Sequence, residues 1–235
     1  MAQKKEVTLS ICTSGSRLKL GVTAGRTHSL SVKEPNQEKQ LFPSLDRLLK
    51  KAGARLEDIS DVCAVRGPGR FTGIRIGLTL AGSLELLLGC RARGVTVFEV
   101  LALSAAPLLP RGGRLAVLLH AFKDEYFVQF YRVSAGGAAP KPTGAPVWLP
   151  EAGARELLAS AAPDLCVADA EERQGIYDLV PACCRKAPPA FSLVTPGAVM
   201  AAGAVFGGPP EPLYLKPAKY ELDARAKAKD RGGKK

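Results

Sequence analysis

The segment Arg66-Gly67-Pro68-Gly69-Arg70-Phe71-Thr72-Gly73-Ile74-Arg75-Ile76-Gly77 has the residue types and spacing best suited to chemistry. A short apolar run, Val62 to Val65, precedes it and a long apolar stretch follows. That order reads as a strand, a sharp turn and a helix start. Gly67 and Gly69 reach backbone angles closed to other residues, and Pro68 stiffens the turn between them. Thr72 stands where a helix cap would, a contribution of about 1 kcal/mol. Free N–H groups at a helix start favour an anion. Gly67, Gly69, Thr72 and Gly73 are therefore candidates for holding a nucleotide phosphate. No Gly-Lys-Ser/Thr follows, so this is not a Walker loop, and on spacing alone a ligand-free connection is favoured.

Other reactive groups are sparse. The six cysteines, Cys12, Cys63, Cys90, Cys166, Cys183 and Cys184, sit in apolar contexts without a C-x-x-C. Reduced core thiols are expected. His28 and His120 lie far apart, so the His-x-x-x-His spacing of a zinc protease is absent, and no metal site is expected. The net charge of +11 is partly local. From Lys216 onward Lys216, Lys219, Arg225, Lys227, Lys229, Arg231, Lys234 and Lys235 face only Glu221, Asp223 and Asp230. Such a segment suits solubility or contact with a polyanion such as RNA, although only Tyr220 is interleaved to stack on bases.

The elements that must position these residues follow from hydrophobic periodicity. Val7 to Ile11, Leu18 to Val22 and His28 to Val32 predict three strands joined by the turns Thr13-Ser14-Gly15-Ser16 and Gly25-Arg26, an antiparallel meander. Leu41, Leu45, Leu48, Leu49 and Ala52 make one face of a helix starting near Gln40, with Gly53 as its C-cap. Beyond the glycine turn a second helix runs to about Leu88. Its Gly73, Gly77, Ala81 and Gly82 recur every few residues, and each interior glycine costs about 1 kcal/mol relative to alanine. That cost predicts close approach by another backbone. Gly94 to Phe98 predicts a strand and Glu99 to Ala106 a short helix. After Pro110 the grammar restarts, with a hairpin over Arg114 to Val133, a loop over Ala135 to Pro146, a strand at Val147 to Leu149, a helix over Pro150 to Ser160, a strand at Leu165 to Ala168, and a helix over Pro196 to Phe206.

Two such blocks predict a duplicated α/β unit, with lobes at 1–106 and 107–215 and a basic segment at 216–235. No apolar run approaches the roughly 20 residues of a membrane span, and no signal peptide is recognisable, so a cytoplasmic protein is expected.

Gly67 to Gly77 resembles the Gly-Pro-Gly-Ser-Phe-Thr-Gly-Leu-Arg-Ile-Gly signature of the TsaB (YeaZ) family. Thr8 to Ser14 is similar to that family's opening strand, which usually reads Ile-Asp-Thr-Ser, Leu41-Phe42-Pro43 and the following helix to its leucine-proline helix, and Pro212 to Lys216 to its closing Pro-Val-Tyr-Leu-Arg. The match is dense over 7–105 and thin over 135–205. The resemblance implies two ribonuclease-H-like lobes, as in actin and the sugar kinases. It implies a non-catalytic subunit that pairs with, and activates, a TsaD-type enzyme placing threonylcarbamoyl on a tRNA adenosine. A TsaE-type ATPase joins the assembly, and tRNA is met through the complex; for the chain alone, homodimer and monomer both stay open. By carry-over, Leu41, Leu45, Leu48 and Leu49 of the first long helix lie at or under the partner interface. So do Ile74, Arg75, Leu78 and Gly82 of the second. No resident cofactor is implied, with ATP a candidate at the interface of the complex.

Four positions depart from the family pattern. Cys12 replaces an aspartate of the first phosphate hairpin, Arg70 a serine, Gln37 a frequent histidine, and His120-Ala121-Phe122 a frequent Asp-Ala-Arg. All four argue against catalysis. An ATP-dependent kinase or ATPase of the same fold, the alternative, needs Asp124 or Asp169 to stand in for the lost acid.

Overall fold

The computed structural model describes residues 6–34, 36–133 and 139–216. The first sheet has the order β3-β2-β1-β4-β5, built from β1 (Val7–Cys12), β2 (Leu18–Ala24), β3 (Arg26–Val32), β4 (Ile59–Val65) and β5 (Arg91–Val95). The first three form the expected antiparallel meander, with Leu9 opposite Val22 and Leu20 opposite Leu30. Strands β4 and β5 run parallel to β1. The second sheet repeats this scheme in the order β11-β10-β6-β7-β8. Its strands are β6 (Arg114–Phe122), β7 (Glu125–Arg132), β8 (Lys141–Pro142), β9 (Val147–Pro150), β10 (Leu165–Ala168) and β11 (Arg185–Lys186). There β6 and β7 are antiparallel, β10 and β11 run parallel to β6, and β9 pairs with β7. The fold is thus α/β, two ribonuclease-H-like lobes of the actin-like class.

Side-chain alternation along the strands sorts the core into layers. Val7, Leu9 and Ile11 face one way, against α1 (Gln37–Ala52) and α2 (Phe71–Leu88). Cys12, Cys63, Val65 and Val95 join the opposite layer, with α3 (Val97–Ala105) and α5 (Pro196–Phe206). Leu115, Val117 and Leu119 of the second sheet close on that same layer. Ala116, Leu118 and Val128 turn outward to α4 (Glu151–Ala161). Two helices are therefore sandwiched between the sheets. Helix α5 comes from the second half of the chain yet packs on the first sheet, where Gly203 leaves room for the Cys63 thiol.

Local signals account for the ends of the helices. Gly53 closes α1 in the left-handed conformation, with φ 58°. Thr96 opens α3 in a capping box with Glu99. Thr195 caps α5, its hydroxyl accepting from the Ala198 N–H at 3.2 Å. Helix α2 is long and apolar enough to cross a membrane by length and composition, a feature that the run-length reading of the sequence missed. It is packed along one face on the first sheet, burying Gly73, Ile74, Gly77, Leu80, Ala81 and Leu84.

Candidate functional site

Two concave features border the glycine turn. The first is an apolar groove of about 570 Å³ between α1 and α2. Its floor is made by Leu41, Leu80 and Leu84, which also belong to the core behind the first sheet. Its walls are apolar side chains left open to water: Phe42, Leu56, Phe71 and Leu87. Phe42 is 64% exposed and Leu87 76%, and Leu86 beside it reaches 84%. Scattered exposed apolar residues are ordinary; several lining one trough mark an interaction surface. At its end the Arg75 guanidinium lies 3.9 Å over the Phe71 ring, and its Nε donates to the Tyr214 hydroxyl at 3.2 Å. Phe71 and Tyr214 stack with ring centroids 4.8 Å apart. The closing segment of the described chain thereby braces the groove.

The second feature is a cleft of about 530 Å³ between the lobes, lined among others by Ser14, Ser16, Gly69, Arg70, His120, Asp169 and Glu172. The glycine turn forms one wall. Gly67 has φ 119°, and a Cβ there would lie 2.5 Å from the Leu213 carbonyl oxygen. The Gly67–Pro68 bond is cis. At Gly69 a Cβ would meet the Ser14 carbonyl oxygen at 2.3 Å, and that oxygen accepts from the Arg70 N–H at 2.7 Å. The turn is thus pinned against the β1–β2 connection. The start of α2 is pinned too: the Thr13 hydroxyl donates to the Gly73 carbonyl at 2.7 Å.

Charge in the cleft is predominantly acidic at its inner end. Burial pushes the Asp169 carboxyl up to about 6; Lys19 opposes this and the carboxylates of Glu172 and Glu171 add to it. Burial likewise raises the Cys12 thiol, which stays protonated at neutral pH and offers no metal-holding charge. Asp124 lies on the exposed turn between β6 and β7, facing Arg173 at 3.7 Å.

Several expectations need correction. Thr72 does not cap α2. The helix starts at Phe71 with Arg70 as its extended N-cap residue, and no side chain caps it, because the pinned turn brings the chain into the helix one residue before a threonine cap could act. The N–H groups of Phe71, Thr72 and Gly73 consequently have no intrahelical acceptor. Gly82 was expected to admit a close backbone, yet a Cβ there would meet nothing within 4 Å. Gly73 does so instead, against the Thr13 carbonyl, and Gly77 makes room for the Thr13 side chain. Leu45, Leu48 and Leu49 are buried against the first sheet, Leu45 with only 2% exposure, and Ile74 is buried beside Gly67. Of the two placements expected, at or under a surface, their burial matches the second. Leu41 is also buried but forms the groove floor, Leu78 is half-buried, and Arg75 stands at the rim. Helix α1 begins at Gln37, earlier than the periodicity predicted. The exposure of the groove-wall residues Phe42, Leu56 and Leu87, and of Leu86 beside them, has no signal in the sequence, where apolar residues at such spacing read as core. The basic segment from residue 217 onward lies outside the described residues.

Comparison with known proteins agrees with this arrangement. A family described as "TsaD: tRNA N6-adenosine threonylcarbamoyltransferase" matches residues 31–136. The tRNA threonylcarbamoyladenosine biosynthesis protein TsaB of Haemophilus influenzae is 24% identical over 126 residues, 54% of this chain and 53% of that protein. The Bacillus subtilis protein of the same name is 27% identical over 101 residues, 43% of each. YeaZ from Pseudomonas aeruginosa superposes with a TM-score of 0.69 at 23% identity, over 89% of this chain and all of that one. Over these spans the chain is similar to proteins of the TsaB (YeaZ) family. Its matches span between 29% and 53% of the length of the curated TsaB relatives. The departures noted in the sequence cluster around the cleft. Cys12 is buried behind it, Arg70 and His120 line it, and Gln37 donates from Nε2 to the Gly15 carbonyl at 2.9 Å while its Oε1 is buried without a partner.

Proposed function

We propose that this chain is a non-catalytic subunit of tRNA threonylcarbamoyladenosine biosynthesis that binds and activates a TsaD-type transferase through the α1–α2 groove. The observation that carries this reading is the groove itself. Phe42, Phe71, Leu86 and Leu87 leave extensive apolar surface in water, at about 25 cal/mol per Å² of unrealised burial. A helix of a homologous partner is the natural occupant, since an amphipathic helix laid in an apolar trough reads out anchors at helical spacing. Leu45, Leu48, Leu49 and Ile74 hold α1 and α2 in place from the buried side, and Arg75 lines the groove.

The non-catalytic part of the reading rests on the cleft. The acid that an ATP-dependent relative would use is replaced by a buried, protonated thiol at Cys12. Asp124 lies on an exposed turn paired with Arg173, and Asp169 is buried with its carboxyl raised to about 6. No resident cofactor is proposed; ATP and a TsaE-type ATPase belong to the complex, as does the tRNA. Gly67, Gly69, Thr72 and Gly73 serve the fold of the turn in this reading. In isolation a second copy would cover the same groove as a homodimer.

The test is to mix the chain with the TsaD-type protein of the same source and weigh the products by light scattering on a sizing column. A heteromeric peak that disappears with Leu87→Glu, while the variant stays folded, is the expected result. Separate elution of the two wild-type proteins, with and without ATP, would refute the reading.

A further inference from the structure

The turn Ser14-Gly15-Ser16 is already occupied. The Ser16 N–H donates to both oxygens of the Glu172 carboxylate, at 2.8 and 2.9 Å, and the Ser16 hydroxyl donates to Oε1 at 2.9 Å. The two residues are 156 positions apart, one in each lobe. Gly15 makes the approach feasible, because a Cβ there would lie 2.4 Å from Glu172 Oε1. The neighbouring acid, Glu171, reinforces the grip by pairing with Lys19 and with Arg17 at 3.4 Å, while Lys19 Nζ also donates to the Val194 carbonyl at 2.9 Å. An N–H and an O–H that converge on both oxygens of a carboxylate form an oxyanion site, and charge-assisted bonds of this kind are the strong ones.

We propose that the Ser14–Ser16 turn is an anion site kept filled by the chain's own Glu172 carboxylate, which latches the two lobes together and closes the cleft to phosphate-bearing ligands. The walls of the cleft fit this role. A phosphate entering beside Arg70 meets the Glu172 charge at the donors it needs, and the Asp169 carboxyl stands behind them. Repulsion between like charges in a partly desolvated cleft costs more than the same contact in water. This inference is independent of the groove reading, since the latch faces the interlobe cleft and the groove lies between α1 and α2.

The experiment is titration calorimetry with pyrophosphate on wild type, Glu172→Ala and Glu172→Ala/Asp169→Asn, with far-UV dichroism and thermal unfolding to establish that each variant is folded. Removing the carboxylate frees the Ser16 donors, so one or both variants gain saturable binding, at least about tenfold tighter than wild type. Adding Ser16→Ala, which removes the hydroxyl donor, then lowers the gained affinity. Glu172→Ala alone is also expected to unfold at lower temperature, having lost the interlobe contact. Wild-type binding as tight as that of the variants would overturn the proposal. So would two folded variants that bind pyrophosphate no better than wild type.

Discussion

Replacing Asp169 by asparagine should stabilise this protein at neutral pH and leave it unchanged in acid. The carboxyl is 7% exposed, and its polar support is slight: Oδ1 accepts from the Glu171 N–H at 3.3 Å. Burial, with the nearby Glu172 and Glu171 charges, outweighs the attraction of Lys19 and lifts the group from 3.8 to about 6. That difference corresponds to about 3 kcal/mol borne by the folded state when the carboxylate is ionised. The folded form holds this proton more tightly than the unfolded form. Its contribution to stability is therefore fully present below about pH 4 and is lost as pH rises through about 6. Asparagine is isosteric, can accept the same N–H and carries no charge. Urea denaturation of both proteins at pH 4, 5, 6 and 7.5 isolates the group, because all other titrations cancel in the difference. The expected advantage of the variant is near zero at pH 4 and about 1–3 kcal/mol at pH 7.5. A difference independent of pH, or a variant less stable than wild type at pH 7.5, would refute the reasoning.

Other outcomes follow from packing. Leu45→Ala should cost about 2–5 kcal/mol in denaturant unfolding, as large-to-small changes in a close-packed core do, since Leu45 faces the first sheet. Leu86→Glu on the open rim should leave the unfolding midpoint within about 0.5 kcal/mol of wild type. The two glycine classes of α2 should separate cleanly by the same assay. Gly77→Ala places a methyl 2.5 Å from Thr13 Oγ1 and destabilises, whereas Gly82→Ala meets nothing and stabilises by about 1 kcal/mol. Thr195→Ala removes the cap of α5 and should cost about 1 kcal/mol.

Much of the framework is legible in the residues. Alternation in β1–β3 and the apolar row Leu41, Leu45, Leu48, Leu49 identify a meander and the helix beside it, because burial on one face imposes a period of two or of 3.6 residues whatever the partner. The glycine turn is equally legible: positions such as Gly67 tolerate no Cβ, so the backbone demand is written into the residue type. The doubled meander-and-helix pattern discloses two lobes for the same reason.

What tertiary structure alone decided is which apolar residues stay in water and which distant charges meet. Leu45 and Leu87 are the same side chain on adjacent helices, yet one is core and one is surface, because only the sheet beneath determines which face is covered. Gly77 and Gly82 look alike in sequence and differ by what packs against them. Thr72 has the chemistry of a cap, but the turn pinned on Ser14 starts the helix before it. The meeting of Ser16 with Glu172 has no local signal at all. It depends on closing two lobes around a shared helical layer, so no periodicity on either side of the 156-residue interval could predict it.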